Sequence, residues 1–283
     1  MISAATPASG SPAHPVNLLW TAGWDSTYRL LTLVLGQGRA VSPHYIVDPG
    51  RPGTPHELLA MREIRTHIAQ AYPDRAELIQ PTRATLLDSI PPNEMVSAKL
   101  TRLRCRGHLG EQYDWLARYV VAAGIVDLEL CIHADDKAEA FLRDHVEHVT
   151  DENNESYWQL KPCDPEDDLA LFTRFRMPIL SLTKRDMRAR ADAAGFQPIM
   201  GLTWFCHTPI DGKPCGTCNP CRYTIDEGLS EHLPGRALLR HRYNRQMDRI
   251  TRSVAGPLNQ LLAWAERPIV QRERRRLHTR STV

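Results

Sequence analysis

The chain lacks most of the features by which a function is read at a glance. No apolar run comes near the ~18 residues that a membrane helix needs. With 35 Lys and Arg against 33 Asp and Glu, it also lacks the excess of one sign that marks a general polyanion or polycation binder. It has no Walker loop, because no Gly-Lys-Ser/Thr follows its small-residue turn. It has no dinucleotide fingerprint either, because "GQGRAV" lacks the third Gly and follows a helical pattern. No internal repeat is present. The first residues, "MISAATPASGSPAHP", have neither the basic region nor the apolar core of a secretory signal, so 1–15 reads as a disordered leader and the cytoplasm as the default location.

What is there is an ordinary globular composition, 42% hydrophobic and 24% charged over 283 residues, enough to bury the core of one large α/β domain with an appendage. The near-neutral balance conceals an asymmetry. From Arg222 onward thirteen Lys and Arg stand against six Asp and Glu, a net +7 that leaves −5 for everything before. Seven Cys in a chain without a signal peptide do not suggest a disulfide framework, since cytosolic thiols stay reduced. Four of them crowd into sixteen residues, which calls for another explanation.

Hydrophobic periodicity alternates along the chain. Val16 to Trp20 reads as a short buried strand, and "DSTYRLLTLVLGQG" as a helix with a Gly stop. "SPHYIVDPG" is a second strand closed by a Pro-Gly turn, "HELLAMREIRTHIAQAY" a second helix and "AELIQP" a third strand. "GEQYDWLARYVVAAGI" is a helix, "DLELCIHA" and "MPILSL" are strands, and "KRDMRARADAAGF" is a helix with Gly195 near its end. The alternation predicts a doubly wound parallel sheet covered on both faces, in which ligands bind beyond the carboxyl ends of strands. Ala134 to Asp168 is acidic and weakly patterned, and reads as a helix followed by a mobile loop or lid. Past Gly228 the chain is helical and Arg-rich, with a frayed "RERRRLHTRSTV".

The first strand ends in "TAGWDST". Ala22 and Gly23 allow close backbone approach, while Thr21, Ser26 and Thr27 set hydroxyls beside the free N–H groups of a new helix, a cradle for an anion. The competing structural explanation is a plain N-cap by Asp25 or Ser26. Farther on, Cys206, Cys215, Cys218 and Cys221 form two overlapping Cys-x-x-Cys pairs and a fourth thiol upstream, with Gly216 and Pro220 for turns. Four soft ligands fit a tetrahedral structural Zn²⁺ with no open position. An iron–sulfur cluster is the alternative; a redox dithiol is disfavoured because no helical pattern starts at the cluster. His207 is read as a surface residue, and Cys105, Cys131 and Cys163 as buried or incidental thiols.

Thr21-Ala22-Gly23-Trp24-Asp25-Ser26 resembles the Ser-Gly-Gly-x-Asp-Ser PP-loop of the N-type ATP pyrophosphatases, with Ala in place of the first Gly, which closes off φ > 0 there. "TWFCHTPIDGKPCGTCNPCR" resembles the Cys-rich ending of the 7-cyano-7-deazaguanine synthases, a PP-loop family, and "LSLTKRDMRARADAAG" its Lys-containing segment. The resemblance covers Leu18 to Gly228 and implies a PP-loop ATPase domain over 16–228, with a zinc knuckle at 203–223 and a basic helical extension over 229–283. It implies ATP phosphates on Thr21 to Thr27, Mg²⁺ at Asp25 and phosphate contact at Lys184, against an ordinary helix-start Lys. The implied reaction adenylates a carboxylate or amide of a deazapurine-like molecule, with ammonia completing an amide or nitrile. That is a step of queuosine biosynthesis and needs ATP, Mg²⁺ and structural Zn²⁺.

"CIHADDKAEAF" departs from the synthases, whose substrate segment is absent here. Glu129, on an otherwise apolar strand, and Asp135 and Asp136, just past its end, are candidates for substrate or Mg²⁺; a Glu129 on an exposed edge strand and helix N-caps are the plain alternatives. Trp24 packs on the next helix or flanks a base. Arg102, Arg104, Arg106 and His108 precede a helix start where an anion would be welcome, with a solvated basic face as the simpler explanation. The Arg-rich tail is a solvated surface, with nucleic-acid contact or an assembly arm in a homo-oligomer as alternatives. Three functions are therefore carried forward: a small-molecule ligase, a PP-loop enzyme modifying a tRNA base, and a zinc-stabilised binding protein with a degenerate loop.

Overall fold

The computed structural model describes residues 14–152, 154–249 and 251; the leader up to residue 13 and the chain from 252 onward lie outside the described residues. The chain divides into two compact units, Met1–Gly212 and Lys213–Val283. No described helix is long and apolar enough to cross a membrane.

In the first unit the strands are β1 (Val16–Leu19), β2 (Val41–Val47), β3 (Arg83–Leu86), β4 (Leu128–Glu129), β5 (Val146–Thr150), β6 (Ser156–Leu160) and β7 (Phe175–Arg176). Its helices are α1 (Trp24–Leu31), α2 (Thr54–Ala71), α3 (Pro73–Ala76), α4 (Glu94–Arg106), α5 (Gln112–Ala122), α6 (Glu139–Leu142), α7 (Lys184–Ala193) and α8 (Gln197–Met200). Five strands form one parallel sheet in the order β3-β2-β1-β4-β7. β2 is buried along nearly its whole length, as a strand covered on both faces must be. The connections from β1 to β2 and from β3 to β4 move in opposite directions along the sheet. With right-handed crossovers their helices therefore fall on opposite faces. Accordingly α1 packs with α7 and α8, and α2 with α8, while α4 and α5 pack together with the turn at 168–172. The expected doubly wound architecture is present, and the order reverses between β1 and β4.

Three sequence expectations shift. The third strand is Arg83–Leu86 and not "AELIQP", where Ile79 makes only a single bridge to Val41; α3 runs to Ala76, and Pro81 has no N–H for a ladder. The strand expected at "MPILSL" is Phe175–Arg176, just before it. The stretch read as helix and mobile loop holds the short α6 and then an antiparallel hairpin, Val146↔Leu160 through Thr150↔Ser156. That hairpin docks by a bridge between Trp158 and Met177, with backbone bonds of 2.8 and 3.1 Å. The acidic residues that masked it, Asp151, Glu152 and Glu155, occupy its turn, with Glu147 half-buried on the first strand.

In the second unit, α9 (Asn219–Asp226) is followed by a short turn at Ser230–His232 and a helix over 235–249. Gly216, at φ 81, lies where a Cβ would be 2.1 Å from the carbonyl of Ala237, and Arg240 Nε donates to the Cys215 carbonyl at 2.8 Å. The helix over 235–249 thus rests directly on the Cys215–Cys218 loop.

A buried ion pair joins α1 to the middle of the sheet. Arg29 Nε and a terminal nitrogen donate to the two oxygens of Glu129 at 2.8 and 2.7 Å, both side chains almost wholly buried, and Glu155 from the hairpin turn adds a third contact at 3.3 Å. β4 is thus an interior strand, and Glu129 is enclosed by its partner instead of exposed on an edge. Replacing Glu129 by Ala leaves the guanidinium buried without compensation. Denaturant unfolding of Glu129→Ala is expected to lose about 3–5 kcal/mol, the cost of breaking such a pair from one side. A loss under ~1 kcal/mol would show that the pair does not anchor α1.

Candidate functional site

The turn from β1 to α1 lies at the carboxyl edge of the sheet, at the β1/β4 reversal where the crevice of such folds opens. Its backbone differs from the expectation in two ways. Ala22 adopts φ 53, so the substitution of Gly does not close the left-handed region; the residue is fully buried and held there. That conformation costs an L-residue about 1–2 kcal/mol, which contacts elsewhere must offset. The N-cap of α1 is Gly23, which offers no side-chain cap, and neither Asp25 nor Ser26 takes that place. The first-turn amides of Trp24, Asp25 and Ser26 are therefore left to an external acceptor, and the helix dipole favours an anion there.

The remaining loop side chains divide between frame and site. Thr27 is fully buried and accepts from the Trp20 indole at 3.1 Å, which locks the first turn onto β1 and keeps its hydroxyl from a ligand. Ser26 Oγ lies 3.4 Å from both the Thr21 N–H and the Gly23 carbonyl. Thr21, Gly23, Asp25 and Ser26 line an open crevice of about 180 Å³, completed by Tyr113 of α5 and by Cys131 and Asp136 beyond β4. Trp24 is buried, and its indole N–H has no partner among the described residues.

Asp25 is the electrostatic centre. Lys184, the first residue of α7, reaches its two carboxylate oxygens at 2.6 and 2.8 Å, with the ammonium 5.8 Å from the Trp24 ring centroid. Lys184 is placed there by a complete capping box in which Thr183 and Asp186 satisfy each other's backbone. Asp135 accepts from the Lys184 backbone N–H at 3.3 Å, while Asp136 accepts from the Ala138 N–H at 2.8 Å and so also serves as a local cap. Sequence reasoning missed His133. It is buried, its Nδ1 accepts from the Asp135 N–H at 3.2 Å, and its Nε2 faces an Asp25 oxygen at 4.0 Å. The available signal was a lone His between the strand and the Asp pair. Cys131 is held protonated, its thiol pushed well up by burial and by the nearby charges of Glu129 and Asp25.

Arg102, Arg104 and Arg106 precede α5 as expected, but they do so from the last turns of α4, a helix the periodicity did not show. Arg102 and Arg106 grip the buried Asp168 at 2.6 and 2.5 Å, and Arg104 meets Glu111 at 3.0 Å.

The sulfurs of Cys206, Cys215, Cys218 and Cys221 all lie within 4.8 Å of one another. Cys215 Sγ receives the N–H groups of Thr217 and Cys218, both at 3.3 Å, which favour a thiolate. Cys218 is the N-cap of α9, so the cluster does stand at a helix start, contrary to the sequence reading; Asn219 and Pro220 gave no periodic cue for it. Thiolates about 2.3 Å from one zinc ion stand about 3.8 Å apart at the tetrahedral angle, and Cys215 and Cys221 are separated by 3.8 Å. The four thiols thus form a group that could hold a metal.

Gly53, at the start of α2, makes room for this segment: a Cβ there would stand 2.5 Å from the Cys206 carbonyl and 3.1 Å from His207 Cα. Since backbone cannot yield as a side chain can, Gly53→Ala is expected to cost about 1–3 kcal/mol in denaturant unfolding. An unchanged midpoint would mean that the 206–207 backbone is not seated on α2.

Neither a protein-family model nor a curated protein sequence matches the chain. Among solved structures it is similar to the U34-tRNA thiolase NcsA from Methanococcus maripaludis with its 4Fe-4S cluster, at 14% identity and a TM-score of 0.36, over 82% of this chain and 72% of that one. A likeness of that degree leaves the function to be argued from the chain's own residues.

Proposed function

We propose that the chain is a PP-loop enzyme that binds ATP at the β1–α1 turn and transfers its adenylyl group to a carboxylate or amide oxygen of a small deazapurine-like acid, with ammonia as the nitrogen nucleophile. The observation that carries this reading is the pairing of an uncapped helix start behind Gly23 with the Asp25–Lys184 pair at the sheet's switch point. The amides of Trp24 to Ser26 would receive phosphate oxygens. Lys184 would neutralise charge that builds on pyrophosphate as it leaves, and Asp25 would hold Mg²⁺, which supplies further neutralisation when bound. The acceptor oxygen attacks the α-phosphorus, the bond to the bridging oxygen breaks, and pyrophosphate departs. On an adenylated carboxylate ammonia then displaces AMP and loses a proton to give the amide; on an adenylated amide the nitrogen loses its remaining proton and AMP is eliminated to leave the nitrile. No protein nucleophile is required, which agrees with a Cys131 kept protonated in the crevice.

Purified protein with ATP, Mg²⁺, 7-carboxy-7-deazaguanine and ammonium is expected to form AMP, pyrophosphate and a new amide or nitrile. AMP formed only with another acid would retain the mechanism and change the acceptor. Calorimetry showing no ATP binding would leave a metal-stabilised binding protein. A second reading, an RNA base as acceptor, is favoured by one observation: Arg236, Arg242, Arg245 and Arg249 are exposed along the helix over 235–249. Steeply salt-dependent tRNA binding, weakened when Arg236, Arg242, Arg245 and Arg249 are replaced by Gln, would support it.

For the cysteine group the reading is one structural Zn²⁺ held by Cys206, Cys215, Cys218 and Cys221. Elemental analysis is expected to find one zinc per chain, with Cys218→Ser losing it together with thermal stability. Iron in its place, or full zinc retention in the variant, would refute that assignment.

A further inference from the structure

Trp204 belongs neither to the loop nor to the cysteine group, and the proposed chemistry makes no use of it. Its backbone N–H nonetheless donates to the Ala22 carbonyl at 2.9 Å, and its own carbonyl lies 4.0 Å from where a Cβ on Gly23 would stand. Trp204 is itself fixed from two sides. Its indole N–H donates to the Cys206 carbonyl at 2.8 Å, and its ring stacks on His56 of α2, with centroids 4.5 Å apart and planes inclined by 14°. Just before it, Thr203 Oγ1 donates to the Met200 carbonyl at 2.8 Å, so the segment cannot slide away from the loop.

Ala22 needs such a restraint. A residue with a Cβ at φ 53 relaxes to negative φ unless its surroundings forbid it. Relaxation would rotate the peptide that leads into Gly23 and turn the first amides of α1 away from a shared focus. Local sequence does not supply the restraint, because Gly23 is free to follow either conformation.

We propose that Trp204 is a positioning residue for the phosphate loop: it holds Ala22 in the left-handed conformation and, through Cys206, makes the shape of the loop depend on metal at the cysteine group. This rests on the reading that the loop binds phosphates. The linkage runs from the Cys206 carbonyl to the indole, from the Trp204 backbone to Ala22, and from Ala22 to the amides that follow Gly23. Metal held by Cys206 fixes the first member, and loss of metal frees the last.

The test is calorimetric titration of the full chain with MgATP and, separately, with magnesium pyrophosphate. Trp204→Ala is expected to weaken both about tenfold, the ratio that corresponds to left-handed strain of an L-residue. Trp204→Phe keeps the stack on His56 and loses only the indole donor; about a threefold loss is expected, the worth of one neutral hydrogen bond. Adding Ala22→Gly to Trp204→Ala should restore most of the affinity, because Gly holds positive φ without a Cβ penalty. A residue that served only packing would show the opposite, since deleting a buried methyl would add to the damage. Wild-type affinity in a folded Trp204→Ala protein, or no restoration in the double variant, overturns the proposal.

Hydrogen exchange of the Gly23 to Ser26 amides provides a readout that does not depend on nucleotide. It also serves if Trp204→Ala fails to fold, with Trp204→Phe as the variant. Exchange several-fold faster in Trp204→Phe, and in wild type after chelation of the metal, is expected; unchanged exchange in both overturns the coupling. If wild type binds neither ligand, the assignment of function fails, and exchange alone decides whether Trp204 positions the loop.

Discussion

The buried fork between Arg29 and Glu129 is the constraint on which the rest of the first unit depends. α1 carries the turn over 21–26 at its front and Arg29 near its end, and β4 carries Glu129 at the point where the sheet changes direction. Two charges removed from water must stay together, so α1 can neither rotate nor withdraw without exposing one of them to an apolar core. The loop is therefore presented to the crevice at a fixed angle. Glu155 extends the restraint to the hairpin turn, and Arg39 approaches the same carboxylate at 3.6 Å. Glu129 is thus part of the frame, and the crevice is lined instead by residues of α1, of α5 and of the segment that leaves β4.

Those residues make the site electrostatically composite. Asp25 stands on one element, Lys184 on the first turn of another, and His133, Asp135 and Asp136 on the segment leaving β4. Lys184 neutralises Asp25 in the absence of a ligand, so the carboxylate tolerates its partly buried position. Asp25 of this pair lines the open crevice, whereas the Arg29–Glu129 pair is closed on both oxygens and almost wholly buried.

Strain and support are likewise separated along the chain. Ala22 holds an unfavourable backbone just past the end of β1, and the N–H that donates to its carbonyl belongs to Trp204, two residues before the first cysteine of the four-thiol group. Gly53 and His56, at the start of α2, close the arrangement by giving that segment a floor and a stacking surface. The residues that lead into the four-thiol group thus touch the left-handed Ala22.

The helices α1, α2, α5 and α7 and the long β2 were legible in the sequence because their signal is periodic and local, whereas α4 was not. The hairpin was hidden because its strands are short and mixed in polarity and its turn is acidic. β3 and β7 were displaced by a few residues because parallel strands are ended by their partners more than by their own composition. The loop motif and the cysteine spacing were also readable, since both are written in consecutive residues. The sequence by itself determined that there would be a β1–α1 turn with small residues and four thiols within one short span. Only the tertiary structure decided that Gly23 and not Asp25 begins the helix, that Ala22 is left-handed, that Glu129 is spent on Arg29, and that Lys184 meets Asp25 across 159 residues. Backbone preference is set within a turn or two of chain, whereas the partner of a buried charge is set by whatever the folded sheet brings beside it.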